Sequence, residues 1–330
     1  MQYSEHLGFN KYAIICGNGP SLAEIDYKRL PLEYDVFRCN QFYFEDKYYM
    51  GKRVKFAFAN PSVLFEQSYT YRTLSYTKEY EIDNIVVSNF NLNHIDSCYL
   101  QYLYIYDDII CGSRQLARLK DFYAFIRYNE LYCERRITSG IYMCAFAVAL
   151  GYKEIYIAGI DLYSTKEAYA FDIMQQNLLT IVPSFSTTPS SCHAKEIDVE
   201  ALFFLEQHYN VKFYSVCLGS PLNEYIPLAN LHNNTTLQIV QKTEKSIRDM
   251  LIPPASAYKK LNYGIEIQSQ HNPLDHTKEQ QEYKKMLRNN SIYRLYRDFI
   301  RFPKAVYYYV KGYKICRKLK QSIKNNRNVI

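Results

Sequence analysis

The residues best suited to ligand chemistry recur where short apolar runs end. Ile14-Ile15-Cys16 gives way to Gly17-Asn18-Gly19-Pro20-Ser21, Val36-Phe37-Arg38 to Cys39-Asn40-Gln41, and Val54 to Ala59 to Asn60-Pro61-Ser62. Amides and hydroxyls gathered on one edge of a sheet are the groups that hydrogen-bond a sugar or base, and Gly17 and Gly19 let backbone N–H groups approach a phosphate. Any one of these residues equally suits an Asx turn or a helix cap. Their repetition at successive run ends is what points to a ligand. Thr138-Ser139-Gly140 opens an apolar segment containing Ala145, Ala147 and Ala149. That start is a second candidate anion site, joining open amides, a helix dipole and two hydroxyls, with simple capping as the alternative. Arg136 lies just ahead of it, Asp161 ends another apolar run, and Tyr163, Tyr169 and His193 follow in a stretch of little periodicity.

The elements that must position these groups follow from hydrophobic period. Ala13–Cys16, Asp35–Arg38, Val54–Ala59, Asn84–Ser88, Glu154–Asp161 and Val211–Val216 read as short strands. Helices are expected from Ser21 through Leu30, at Ile141–Leu150 and at Ile197–His208. This alternation predicts an α/β fold with an open parallel sheet flanked by helices. Leu162 to His193, too long for an ordinary connection, reads as a lid. Beyond Pro221 the pattern weakens, and about Ala257 to Arg288 is polar and Gln-rich like a connector. The organisation expected is an extension over 1–11, a catalytic domain over 12–161 and 194–262, a lid over 162–193, and a connector and tail over 263–330.

A chain of 330 residues, 48% of them hydrophobic, can bury a sizeable core. Its nine cysteines form no C-x-x-C pair, which fits reduced thiols in a cytoplasmic setting and argues against zinc or disulfide scaffolds. Met1 to His6 lacks the character of a signal peptide, and no apolar run is long enough to span a bilayer. The net charge of +7 belongs to the tail, where Ser291 to Ile330 holds eleven Lys or Arg against the single acid Asp298. There Ile292, Leu295, Phe299, Ile300, Val306, Val310, Ile315 and Leu319 alternate with cations, and Pro303 is expected to kink the segment. We read this tail as binding an anionic membrane surface rather than nucleic acid or its own domain.

The stretches Ile14–Ser21, Asp35–Tyr49 (DVFRCNQFYFEDKYY), Arg136–Leu150 and Gly151–Asp161 (GYKEIYIAGID) carry a resemblance. The chain resembles the bacterial sialyltransferases of glycosyltransferase family 42, typified by the Campylobacter lipooligosaccharide enzymes, from about Tyr12 to about Tyr313. The resemblance implies a GT-A-like variant with a single Rossmann-type sheet and an inserted lid, and CMP-sialic acid as donor. It implies donor contacts from Asn18, Ser21, Asn40, Gln41, Asn60, Thr138, Ser139, Gly140 and Asp161. Tyr163 and Tyr169 match the tyrosines on the leaving phosphate, His193 the catalytic base and Arg136 a catalytic-site arginine. A homotetramer and a lipooligosaccharide acceptor, galactose-terminated and held at the inner membrane, are implied as well.

These residue types suit the chemistry. Displacing CMP needs charge stabilised on the departing phosphate and a base for the acceptor hydroxyl. Tyrosine O–H groups in a closed site supply the first, and an imidazole titrating near neutral pH the second. No DxD-like motif stands at a strand end, so the expectation is metal-independent, inverting transfer, alpha-2,3 to galactose and, in a bifunctional enzyme, alpha-2,8 to sialic acid. A CMP-sialic acid hydrolase and an inactive membrane-surface relative are the alternatives, and Tyr163, Tyr169 and His193 argue against the latter.

Overall fold

Seven short strands, all parallel, form one sheet in the order β5-β4-β3-β2-β1-β6-β7. They are β1 (Tyr12–Cys16), β2 (Tyr34–Cys39), β3 (Arg53–Ala59), β4 (Glu81–Val87), β5 (Ile109–Cys111), β6 (Glu154–Ala158) and β7 (Lys212–Ser215). The computed structural model describes residues 10–88, 108–163, 169–173, 175–183, 193–232, 239–242, 247–259 and 291–327. Two compact units make up the chain, one of Met1–Leu92 with Asp108–Ile252 and the other of Asn93–Asp107 with Pro253–Ile330. The whole sheet belongs to the first.

Strands buried on both faces read as near-continuous apolar runs, which is why these segments stood out in the sequence. One face packs Ile14, Cys16, Leu22, Val36, Tyr156, Ala158 and Val216 into a single cluster. On the aromatic side, the Phe37 ring lies 4.8 Å from Phe56, and Phe146 of helix α4 (Ser139–Leu150) stands edge-on to Phe58 at 5.1 Å. Helix α4 is buried nearly all round, and Gly140 allows its close approach. A Cβ there would meet the Ile160 side chain at 2.5 Å.

The other described α-helices of this unit are α1 (Leu64–Tyr76), α2 (Gly112–Leu116), α3 (Lys120–Cys133), α5 (Gln176–Ile181) and α6 (Lys195–Tyr209). Helix α3 buries Phe122, Phe125, Ile126 and Asn129, a helical spacing that marks the face packed on Phe204 of α6. In the second unit α7 (Ser291–Arg327) runs as one helix through Pro303.

Three expectations need correcting. The helix from Ser21 through Leu30 is instead two 3-10 turns, Pro20–Glu24 and Tyr27–Arg29, because Asp26 caps the second by accepting from the Lys28 N–H. The sixth strand stops at Ala158, where Gly159 takes a φ of +62°. Within the lid, residues 176–181 are helical.

Candidate active site

The strand order reverses between β1 and β6. In an open α/β sheet ligands bind outside the carboxyl ends of the strands at that reversal. Here the two strand-end loops are laced together. Gly17 N–H donates to Ala158 O at 2.9 Å, Gly19 N–H to Gly159 O at 2.9 Å, and Ser21 N–H to Asp161 Oδ2 at 2.9 Å. Any Cβ on Gly17 or Gly19 would strike Gly159 O at 2.3 Å or Asp161 Oδ2 at 2.4 Å. Asp161 thus shapes the β1 loop through the Ser21 backbone.

Polar side chains here are buried with hydrogen-bonding capacity left over. Asn18 donates through Nδ2 to Cys39 O at 3.1 Å, while its Oδ1 has no partner among the described residues. Gln41 Nε2 likewise has no partner among the described residues, on a residue 2% exposed, while the buried Ser21 hydroxyl faces the Cys217 thiol, a weak hydrogen-bonding group. A buried polar atom without a partner costs about 1–3 kcal/mol, so its persistence at one sheet edge indicates a ligand that completes it. Asn40 adopts a left-handed φ of +54°, which asparagine tolerates. Its carbonyl accepts from the Tyr71 hydroxyl at 2.7 Å. Asn60 holds its own turn, accepting from the Ser62 N–H at 2.9 Å.

The described lid residues reach this edge. Ala170 N–H donates to Asn18 O at 2.9 Å. Burial, reinforced by the nearby Cys39 thiol, pushes the Tyr169 hydroxyl up to about 12, so it remains a proton donor at neutral pH. Leu162 and Tyr163 both take left-handed conformations, at φ +52° and +55°. Each costs on the order of 1–2 kcal/mol for a residue with a Cβ. The Tyr163 ring faces His193, with centroids 6.3 Å and planes 26° apart.

His193 Nδ1 lies 2.9 Å from Arg136 O. A carbonyl only accepts, so Nδ1 carries the proton and the neutral ring keeps its lone pair on Nε2. Desolvation holds the His193 pKa below the ordinary 6.5, with the Arg136 charge adding to that effect against the raising carbonyl hydrogen bond. The Arg136 guanidinium pairs with Glu130.

Thr138 occupies the N-cap of α4, yet its side chain makes no capping bond. Its N–H and hydroxyl both go to Asp198, at 2.9 and 2.8 Å. Asp198 is 1% exposed, and burial pushes its carboxyl up to about 7 against the lowering effect of the Thr138 hydrogen bonds. Asp198 and Tyr71 were missed in the sequence. Asp198 had a signal, an acid in the stripe with Leu202 and Leu205; Tyr71, one of 35 tyrosines, had none. Among the described residues no three His, Cys, Asp or Glu side chains cluster as a metal site.

The sites fall into two linked sets: Asn18, Ser21, Asp161, Gln41 and Tyr169 around the β1, β2 and β6 ends, and Arg136, Tyr163 and His193 beside the start of α4. A topological switch lined with such groups defines a nucleotide-binding α/β enzyme.

Comparison carries this to a family. The model of the alpha-2,3-sialyltransferase (CST-I) family matches residues 11–313. Monofunctional alpha-2,3-sialyltransferase Cst-I from Campylobacter jejuni is 47% identical, with a TM-score of 0.72 over 78% of this chain and 95% of that one. CstII from the same organism, solved with the substrate analogue CMP-3FNeuAc, is 46% identical, with a TM-score of 0.73 over 77% and 100%. CstII has also been solved with a trisaccharide acceptor and CMP, matching at 46% identity over 76% and 99%, TM-score 0.69. An uncharacterized Haemophilus influenzae protein is 36% identical over 72% of this chain and 96% of its own length. The chain belongs to the CST-I alpha-2,3-sialyltransferase family. It is a glycosyltransferase with the GT-A-like fold expected from its sequence.

Proposed function

We propose that this enzyme transfers sialic acid from CMP-sialic acid to a terminal galactose, alpha-2,3, with inversion, without a metal ion and with His193 as general base. The observation that carries the reading is the His193 ring, fixed through Nδ1 on the Arg136 carbonyl and kept neutral by desolvation. Its Nε2 lone pair takes the proton of the galactose hydroxyl as that oxygen attacks the anomeric carbon. The bond to the CMP oxygen breaks on the opposite face, and Tyr163 and Tyr169 donate to the phosphate as its charge grows. Asn18, Ser21, Asn40, Gln41, Asn60 and the α4 start, with Asp161 as support, hold the donor. Residues 162–193 serve as its lid.

The acceptor proposed is a galactose-terminated lipooligosaccharide at the cytoplasmic side of the inner membrane, with the protein assembled as a homotetramer. Helix α7 supports the membrane reading, exposing Ile292, Phe299, Ile300, Phe302 and Val306 in the most basic part of the chain. Leu319, counted above with the alternating apolar residues, is buried. No described helix is long and apolar enough to cross a membrane.

The test is to incubate the full chain with CMP-sialic acid and lactose, with and without EDTA, and follow CMP and sialyl-lactose. Equal sialyl-lactose in both is expected. CMP released without sialylated product would replace the transferase by a hydrolase, and product lost in EDTA would remove the metal-free step. Adding a sialylated acceptor reads alpha-2,8 transfer. Sedimentation of the full chain with anionic against neutral vesicles tests the tail, and equal recovery would remove its membrane role.

A further inference from the structure

The loop Arg136–Thr138 is joined twice to the segment His193–Asp198: by His193 Nδ1 on Arg136 O at 2.9 Å, and by Asp198 on both donors of Thr138 at 2.9 and 2.8 Å. No cation pairs with Asp198 among the described residues, so its buried carboxyl group faces two neutral donors. Such burial costs stability unless the group does something an apolar residue could not.

What Asp198 does is visible at the helix start. Threonine at an N-cap ordinarily turns its oxygen onto the N–H of the second or third helical residue. Thr138 makes no such bond, and its hydroxyl is instead held against Asp198 Oδ2 at 2.8 Å. No described contact takes the amides of Ser139, Gly140 or Ile141, and the first intrahelical bond runs from Tyr142 N–H to Thr138 O at 2.9 Å. An α-helix of twelve residues therefore begins with its amides uncapped, 3% or less of Ile137 and Gly140's neighbour Ile141 being exposed beside them.

We propose that Asp198 is a positioning residue of the transfer reaction: by holding Thr138 it prevents that side chain from capping α4 and leaves the first amides open to an acidic group of the donor. It rests on the reading that the start of α4 faces CMP-sialic acid. Asp198 also fixes the register between this start and His193, five residues before it on the same segment. The start of α4 and the base are thus joined to one segment, His193–Asp198, which runs into α6.

The test compares steady-state kinetics for CMP-sialic acid at saturating lactose, with thermal unfolding as a check on folding. In Asp198→Ala the freed Thr138 hydroxyl caps its own helix and competes with the donor, raising KM about tenfold, the order of a helix-cap interaction, with a smaller effect on kcat. Adding Thr138→Val to Asp198→Ala, which removes the competing oxygen, recovers most of that KM. Asp198→Asn, which can still accept the N–H and donate to the hydroxyl oxygen, also recovers most of it. Should the alanine variant not fold, Asp198→Leu fills the site without an acceptor and is read in the same way. An unchanged KM in the folded alanine or leucine variant, or a double variant worse than the single, would overturn the inference. Wild-type protein without turnover would overturn the donor-site reading and this inference with it, whereas wild-type turnover beside an unaffected Asp198 variant overturns this inference alone.

Discussion

The two ends of the parallel sheet treat buried polar groups in opposite ways. At the amino ends Asp35, the second residue of β2, is saturated: it accepts from Asn10 N–H at 2.8 Å, from Asn10 Nδ2 at 3.0 Å and from the Tyr152 hydroxyl. At the carboxyl ends Asn18 Oδ1 and Gln41 Nε2 are buried without partners among the described residues, and two successive non-glycine residues take left-handed conformations. The same strands run through both ends, so the difference does not come from the sheet. One end spends its hydrogen bonds on stability, and the other leaves capacity open where the proposed donor site needs it, at a cost the rest of the fold offsets.

The sharpest way to break this comparison is at the base. His193→Ala is expected to lower kcat ~10²- to 10⁴-fold. Binding of CMP, followed by calorimetry, should stay near wild type, and a comparable loss of CMP affinity would mean that His193 is a structural member of the pocket.

At the saturated end the expectation reverses. Asp35→Ala strands the Asn10 and Tyr152 donors, for an unfolding loss of roughly 1–3 kcal/mol. Chemical denaturation measures it, and kcat/KM per folded molecule should be unchanged. A fall in kcat/KM with stability intact would erase the distinction between the ends.

Ser21→Ala probes the unsatisfied end. Removing a buried hydroxyl that faces the weakly hydrogen-bonding Cys217 thiol should change Tm little, while KM for CMP-sialic acid rises about tenfold. A lower Tm with normal KM would show the hydroxyl to be structural.

The smallest effect is the pH profile. As the proposed base His193 must be neutral, so kcat/KM is expected to fall as pH drops through its pKa, with a midpoint below the ordinary 6.5 because burial disfavours the charged ring. Arg136→Gln removes a charge that holds this value down, and the acid limb should move toward higher pH. A limb unmoved would separate the Arg136 guanidinium from the base.

Six of the seven strands were legible because two-sided burial writes them as continuous apolar runs, and the polar residues that end them could be seen without any topology. Strand β5 and helices α1, α2 and α3 were not. Ile109–Cys111 is too short for a periodic signal, and the Phe122, Phe125, Ile126, Asn129 spacing lies among polar residues that dilute it. The Ser21–Leu30 helix was misread because Pro20 and Asp26 favour tight turns that periodicity alone does not weigh.

By itself, then, the sequence determined the class of fold, the strand ends that carry Asn18, Asn40, Gln41 and Asn60, and the family whose chemistry suits Tyr163, Tyr169 and His193. Those properties live in local pattern and in residue type. Tertiary structure alone decided that β1 and β6 lie at the reversal of the sheet, that Arg136 O fixes the tautomer of His193, and that Asp198 takes both donors of Thr138. Each of those is a contact between residues far apart in the chain, 60 positions in the last case, and no local pattern encodes which partner a buried polar group will find.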